Sequence, residues 1–354
     1  MVERLLSRQL FLDGPALGPS FYTYRKDSLM KFLIALMAAA VLSLPAHISA
    51  ENKSVKEVSR LLQEVSVTVK SGGGEGSGVI ITRTIPLTTN PTGKPLTAKV
   101  NFIWTAAHVI DNLRSVRTVI KNGRTTKIVE FKDAQIVQEL VEDGRRVGEV
   151  KMEAKVIKYS DSENGEDLAL LMVRKKGFID QSVTFYNDTG KPVSIGTELY
   201  HVGSLLGQTG SNSLTRGIIS QIGRVLDLGT GDGVVFDQTT VTAFPGSSGG
   251  GVFLSERSGK NAGQYVGMLV RGAGETFNLI VPVRRIREYA KKEGILWAVD
   301  EMAPTPTLKE VLSLPIEGGG AKPSEGTKLT KDSVKFPTLI EYNSQRGNND
   351  AKHK

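Results

Sequence analysis

Apolar positions along this chain come in short bursts, many alternating with polar neighbours and most bounded by glycine, asparagine or aspartate. The stretch Val65-Ser-Val-Thr-Val69 alternates with a period of two, which places its valines on one face of a strand. Further runs follow at 79–81 (VII) and 100–104 (VNFIW). Asn122-Gly123 and Asp143-Gly144 each sit between two such runs, and both dipeptides favour the positive φ angles of a tight hairpin turn. Residues 168–173 (LALLMV) contain no polar position at all, which predicts a strand buried on both faces. A second series begins near Val193 and includes 198–202, 215–220, 233–236, 250–253, 265–270 and 277–281. Helical spacing is clear only at 283–292, after a polar, helix-compatible lead-in at 51–63. Many short strands divided by turn signals predict an all-β protein of barrels or sandwiches, not a βαβ fold.

The 354 residues then divide into four parts. Residues 1–50 read as a leader, 51–186 as a first β unit, 187–302 as a second with a C-terminal helix, and 303–354 as a disordered tail. The tail is rich in Pro, Thr, Gly and Lys and lacks sustained periodicity. Leu308 to Leu314 is its one helix-compatible piece, and it too reads as disordered. Residues 83–95 (RTIPLTTNPTGKP) read as an insertion between early strands.

In the leader, Arg25, Lys26 and Lys31 precede the apolar stretch 32–44, and small residues follow up to Ala50. That is the layout of a cleaved export signal, too short for the ~20 residues of a membrane-spanning helix. Met30 opens the segment and reads as its start, with 1–29 as an upstream extension. The expected mature protein is therefore exported, periplasmic or secreted, without a stable membrane anchor.

The hydrophobic content of 39% and charged content of 23% are those of a soluble globular chain. The net charge of +8 is spread along the sequence without a block of like charges, so nucleic-acid binding is not expected. The absence of cysteine excludes disulfides and thiolate chemistry. No metal or cofactor is called for.

Candidate chemistry centres on residues 243–252 (AFPGSSGGGV). A serine hydroxyl is a poor nucleophile until a base in hydrogen-bond reach takes its proton. Of the four histidines, His47 lies in the leader and His353 in the tail, leaving His108 and His201. His201 sits inside an apolar strand and reads as structural. His108 ends the strand 100–104 in a bed of small residues, where another loop can approach its ring. The partner carboxylate must orient that ring. Asp167 opens the strand 168–173, which would hold it rigidly; Glu163 and Glu166 stand beside it as alternatives. The two serines divide on a physical test. A paired oxyanion site formed by the N–H of the nucleophile and of the residue two before it needs a donor at both places. Proline has no N–H, so Ser247 with Pro245 fails, whereas Ser248 with Gly246 succeeds. The order His, Asp, Ser is that of the chymotrypsin arrangement.

With these residues placed, the chain resembles the trypsin/chymotrypsin-like serine proteases, and most of all the bacterial Deg (HtrA-type) branch. The resemblance rests on GSGVII at 76–81, TAAHVI at 105–110, EDLALLMV at 166–173, TRGIISQIGRV at 215–225 and PGSSGGGVF at 245–253. It covers roughly residues 60–292. It implies two six-stranded antiparallel β-barrels with the site between them, His108 and Asp167 on the first and Ser248 on the second. It also implies that Thr242 lies at the floor of the primary specificity pocket, Val270, Arg271 and Gly272 along one wall, and Asn278 near its back. No acid stands at that floor, which disfavours Lys or Arg substrates and suits a small or medium neutral side chain. The branch usually carries a PDZ domain after the protease, and no segment here resembles one. The expected activity is a serine endopeptidase acting on protein or peptide substrates through an acyl-enzyme. The alternative is a catalytically silent or partner-activated module of the same fold. Oligomeric state is not legible.

Overall fold

The computed structural model describes residues 53–317, apart from 90–94, 122–123, 143, 164, 189–190, 228–232 and 273–275. The leader, and the tail from 318 on, lie outside the described residues. The chain starts with helix α1 (Val55–Glu64), entered through a capping box. The Ser54 side chain accepts from the Glu57 N–H while the Glu57 carboxylate accepts from the Ser54 N–H, which satisfies two otherwise orphaned donors. Its buried face, Val58 and Leu62, packs into the main core.

Strands β1 (Ser66–Lys70), β2 (Glu75–Thr89), β3 (Pro95–Thr105), β6 (Ala134–Glu142), β7 (Arg145–Ser160) and β8 (Leu168–Val173) close into one barrel, in the order β1-β2-β3-β8-β7-β6. Strands β9 (Glu198–Leu205), β10 (Gly210–Asp227), β11 (Gly233–Thr239), β12 (Gly251–Leu254), β13 (Tyr265–Gly272) and β14 (Asn278–Pro282) close a second barrel, in the order β10-β11-β14-β13-β12-β9. Closure leaves neither sheet with an open edge. All six residues of β8 are buried, which is why that stretch carries no polar position. Helix α2 (Val283–Lys292) follows β14 directly and buries Val283, Arg285, Ile286, Tyr289 and Ala290. Lys291 and Lys292 in its last turn complement the negative end of the helix dipole.

Both hairpin signals mark hairpins. Strands β4 (Arg114–Lys121) and β5 (Arg124–Phe131) pair with Lys121 opposite Arg124, and β6 and β7 pair with Glu142 opposite Arg145. The first of these belongs to neither barrel; it is a separate two-stranded sheet that begins a few residues after His108.

Two expectations are corrected. Residues 83–89 and Pro95 are not part of an irregular insertion, because β2 and β3 run on as a ladder from Arg83↔Val100 to Thr89↔Pro95; residues 90–94 lie outside the described residues. A register shift between Pro86 and Thr88 accommodates the proline, which cannot donate to the ladder. Nor is the segment from 303 to 317 disordered. Helix α3 (Leu308–Ser313) carries its own capping box of Thr307 and Glu310 and buries Val311 in the main core. The Tyr159 N–H then donates to the Ile316 carbonyl at 2.8 Å, and Arg114 grips Glu317 through two hydrogen bonds of 2.5 and 3.1 Å. Local periodicity missed this because tertiary partners on the first barrel supply what six residues of helix lack.

Candidate active site

Strand β3 delivers His108. The buried Trp104 fixes the end of the strand, its indole N–H donating to the Ala298 carbonyl at 3.0 Å. The chain then enters a 3₁₀ turn, Ala107–Val109. The ring Nδ1 stands 3.0 Å from each carboxylate oxygen of Asp167, and the His108 backbone N–H donates to Oδ1 at 3.2 Å. The two side chains are only 6% and 3% exposed, so little water competes for this contact. Burial alone would raise the Asp167 carboxyl, but the His108 ring, with Arg271 and the His108 N–H, outweighs it and holds the group below its usual range.

Asp167 takes φ +56, a left-handed conformation that aspartate tolerates better than most residues. Its neighbours are occupied elsewhere. Glu163 is exposed. The Glu166 carboxylate binds Arg285 of α2, whose Nε and Nη2 lie 2.8 and 2.7 Å from Oε2. Arg285 Nη2 also donates to the Glu166 carbonyl at 3.0 Å and Nη1 to the Val235 carbonyl at 2.9 Å, with the guanidinium over the Phe236 ring. Arg271 of β13 donates to the Ser162 carbonyl at 2.8 Å. Two arginines from the second half of the chain thus clamp the loop that carries Asp167.

Ser247 and Ser248 are both buried, but only one hydroxyl is engaged. Ser247 Oγ accepts from the Phe244 N–H at 3.1 Å and so closes its own turn. Among the described residues, Ser248 Oγ and His108 Nε2 have no hydrogen-bond partner. The peptide groups around them follow a pattern. Phe244 to Ser247 form a turn with Pro245 second and Gly246 third at φ +90, the residues a type II turn requires, closed by Ser247 N–H to Phe244 O at 2.9 Å. The carbonyls of Pro245, Ser247 and Ser248 accept from the N–H groups of Leu206, Gly250 and Ser77 at 2.7, 3.0 and 2.7 Å. The Gly246 carbonyl accepts from Ser77 Oγ at 2.6 Å, and the Gly249 N–H donates to Leu269 O at 2.8 Å. Neither the Gly246 nor the Ser248 N–H donates to another described group. Every carbonyl of the turn is tied back, and two N–H groups two residues apart are left for an external acceptor.

Gly249, at φ +85, admits no side chain: a Cβ there would land on the Ser77 carbonyl and the Thr105 hydroxyl. Beneath the turn lies His201, wholly buried, its Nδ1 2.9 Å from the Gly251 carbonyl and its Nε2 without a partner among the described residues. Burial pushes its pKa down to about 4, so the ring is neutral and Nδ1 carries the proton that Gly251 accepts. Its role is structural, packed so closely that a Cβ on Gly250 would meet its Cε1 at 2.5 Å.

The expected specificity residues lie along the second barrel. Val270, Arg271 and Gly272 end β13, and Gly272 pairs with Asn278 at the start of β14. Asn278 is buried and donates to the Val241 carbonyl at 2.8 Å, beside the half-buried Thr242. Arg271, expected along a wall, is buried and turned toward the Asp167 loop. Sequence reasoning passed over Ser77, Leu206 and Arg285, since nothing local distinguishes residues whose partners are more than a hundred positions away or lie on a separate strand. Among the described residues no cluster of His, Asp and Glu is arranged to hold a metal.

A family model described as a trypsin-like peptidase domain matches residues 76–268. A serine protease Do-like HtrA of Lactobacillus helveticus is 27% identical over 194 residues, 55% of this chain. The match spans only 35% of that relative's length. Among solved structures, the HtrA-type protease AlgW with a tripeptide is 18% identical at a TM-score of 0.46, over 69% of this chain and 64% of that one. Deg5 is 20% identical at a TM-score of 0.43, over 70% of this chain and 99% of that one.

Proposed function

Because this chain belongs to the trypsin-like peptidase family, we propose that it is an exported serine endopeptidase of the Deg (HtrA-type) branch, with His108, Asp167 and Ser248 as its catalytic triad. The observation that carries the assignment is the buried His108–Asp167 pair, which leaves ring Nε2 unpartnered as a base, together with the unpartnered hydroxyl of Ser248. With Nδ1–H donating to Asp167, Nε2 is the basic nitrogen. Ser248 Oγ attacks the substrate carbonyl as its proton passes to His108 Nε2. The carbonyl oxygen becomes an oxyanion held by the N–H groups of Gly246 and Ser248. The tetrahedral intermediate collapses as His108 returns the proton to the leaving amine, and the acyl group stays on Ser248. Water, deprotonated by His108, then releases the acid by the same path. Asp167 stays ionised throughout and stabilises the imidazolium.

Thr242, Val270, Gly272 and Asn278 shape the pocket for the residue before the scissile bond, and protein or peptide chains are the substrates. Export rests on the leader. No helix among the described residues is long and apolar enough to cross a membrane.

One observation favours a partner-activated form of the same enzyme: Ser248 and His108 do not hydrogen-bond to each other. Catalytic hydrogen bonds often tighten only when substrate binds.

The test is labelling of the full chain with a fluorophosphonate probe. Ser248→Ala should abolish labelling and Ser247→Ala should leave most of it. An adduct mapped to Ser247, or no adduct under any condition, overturns the assignment. Labelling that appears only with added peptide identifies the activated form.

A further inference from the structure

Ser77 sits on β2 of the first barrel, yet its hydrogen bonds go to the nucleophile turn of the second. It is fully buried. Its N–H donates to the Ser248 carbonyl at 2.7 Å and its Oγ donates to the Gly246 carbonyl at 2.6 Å. The same Oγ accepts from the Ser204 N–H at 2.7 Å, and its carbonyl accepts from Thr105 Oγ1 at 2.7 Å. Because the Ser204 N–H occupies a lone pair of Oγ, the hydroxyl proton is directed at Gly246. One residue of one barrel therefore ties back the carbonyls of both residues whose N–H groups face the developing charge.

The geometry points to Ser77 as a positioning residue for oxyanion stabilisation, a role that rests on the triad reading above. A peptide unit is planar, so fixing the Gly246 carbonyl fixes the plane of the 246–247 peptide. The Gly246 N–H lies in the 245–246 peptide, and at φ +90 glycine has low barriers to rotation about the bonds joining that peptide to the 246–247 one, so its aim is kept only while both planes are pinned. Leu206 holds the preceding plane through the Pro245 carbonyl, and Ser77 holds the following one. Without the hydroxyl the Gly246 carbonyl is left buried and unpaired, which favours a rotated peptide that finds another donor.

Oxyanion alignment and simple stability separate in a comparison of three variants. Ser77→Ala removes the hydroxyl. Ser77→Cys keeps its shape with a much poorer donor, and stands in if the alanine variant misfolds. Thr68→Ala removes a buried hydroxyl of the same network, 2.5 Å from Ser204 Oγ, that does not touch the turn. The readouts are the fluorophosphonate labelling rate, resolved into probe affinity and maximal rate, and the melting temperature. For Ser77→Ala and Ser77→Cys the maximal rate should fall about 10- to 100-fold, short of the 10²–10³ of losing an oxyanion donor outright. Probe affinity should change less than about threefold. Thr68→Ala should melt earlier but label within about threefold of the parent. Labelling of both Ser77 variants at the parental rate, or slowed only as much as Thr68→Ala at equal loss of melting temperature, overturns the role. If the parent itself never labels, the peptidase reading fails separately. The crystal structure of Ser77→Ala then decides: a rotated 246–247 peptide supports the role, and an unmoved one overturns it.

Discussion

Ser247 and Ser248 are neighbours in sequence with opposite uses. The first spends its hydroxyl on the Phe244 N–H, so Ser247→Ala should cost the fold about 1 kcal/mol, the net worth of one hydrogen bond, as read by urea denaturation. Asp167→Asn should lower turnover by about 10⁴, the cost of the corresponding change in chymotrypsin, because an amide holds the wrong tautomer of His108. Glu166 cannot substitute, since its carboxylate is committed to Arg285. His201 makes a prediction about pH. Its folded pKa of about 4 lies below the unfolded 6.5, so the unfolded chain binds a proton first as pH drops. Stability present above pH 6.5 should fall by up to about 1.4 kcal/mol per unit between 6.5 and 4. Denaturation midpoints across that range should show the slope, and His201→Leu should flatten it; an unchanged slope in the variant would assign it to other groups. The candidate triad was legible because a proline without an N–H, a short list of histidines and an acid at a strand lip are local facts. Ser77 was not, since a serine between glycines acquires meaning only from the strand that crosses it.

At the scale of elements, the loop ahead of β8 is held by side chains outside the proposed triad. Arg285 is almost fully buried, and its ion pair with Glu166 ties α2 to the first barrel. Glu166→Gln leaves that cation with a weaker partner and should cost about 2 kcal/mol, the scale of a hydrogen bond to a charged group. Labelling of Ser248 should persist, which separates Glu166 from Asp167; abolished labelling would make Glu166 the orienting acid. The all-β architecture and both hairpins could be read from alternation and turn residues. The extension of β2 through 83–89 could not, since Pro86 and the turn-forming residues just beyond it in sequence argue for a loop until the opposing strand supplies partners. Helix α3 was misread for the same reason.

For the molecule as a whole, the sharpest correction is that residues 303–317 belong to the folded body. A chain ending at 302 loses the burial of Val311, the Tyr159–Ile316 hydrogen bond and the Arg114–Glu317 pair. Burying one such valine is worth about 2 kcal/mol. In a body of this size that lowers the melting temperature by roughly 4–8 °C relative to a chain ending at 317. Calorimetry on the two chains checks this, and equal midpoints would show that 303–317 adds nothing.

The closure of the second barrel by β14 has a consequence in time. Ser248 and the loop around it are synthesised before β14, the strand that β11 and β13 both pair with to complete the barrel. Helix α2, which supplies Arg285 to the Asp167 loop, is made later still. A ribosome that has just added Ser248 carries every proposed catalytic residue and no assembled site. The proposed site therefore cannot assemble until that last strand and helix emerge.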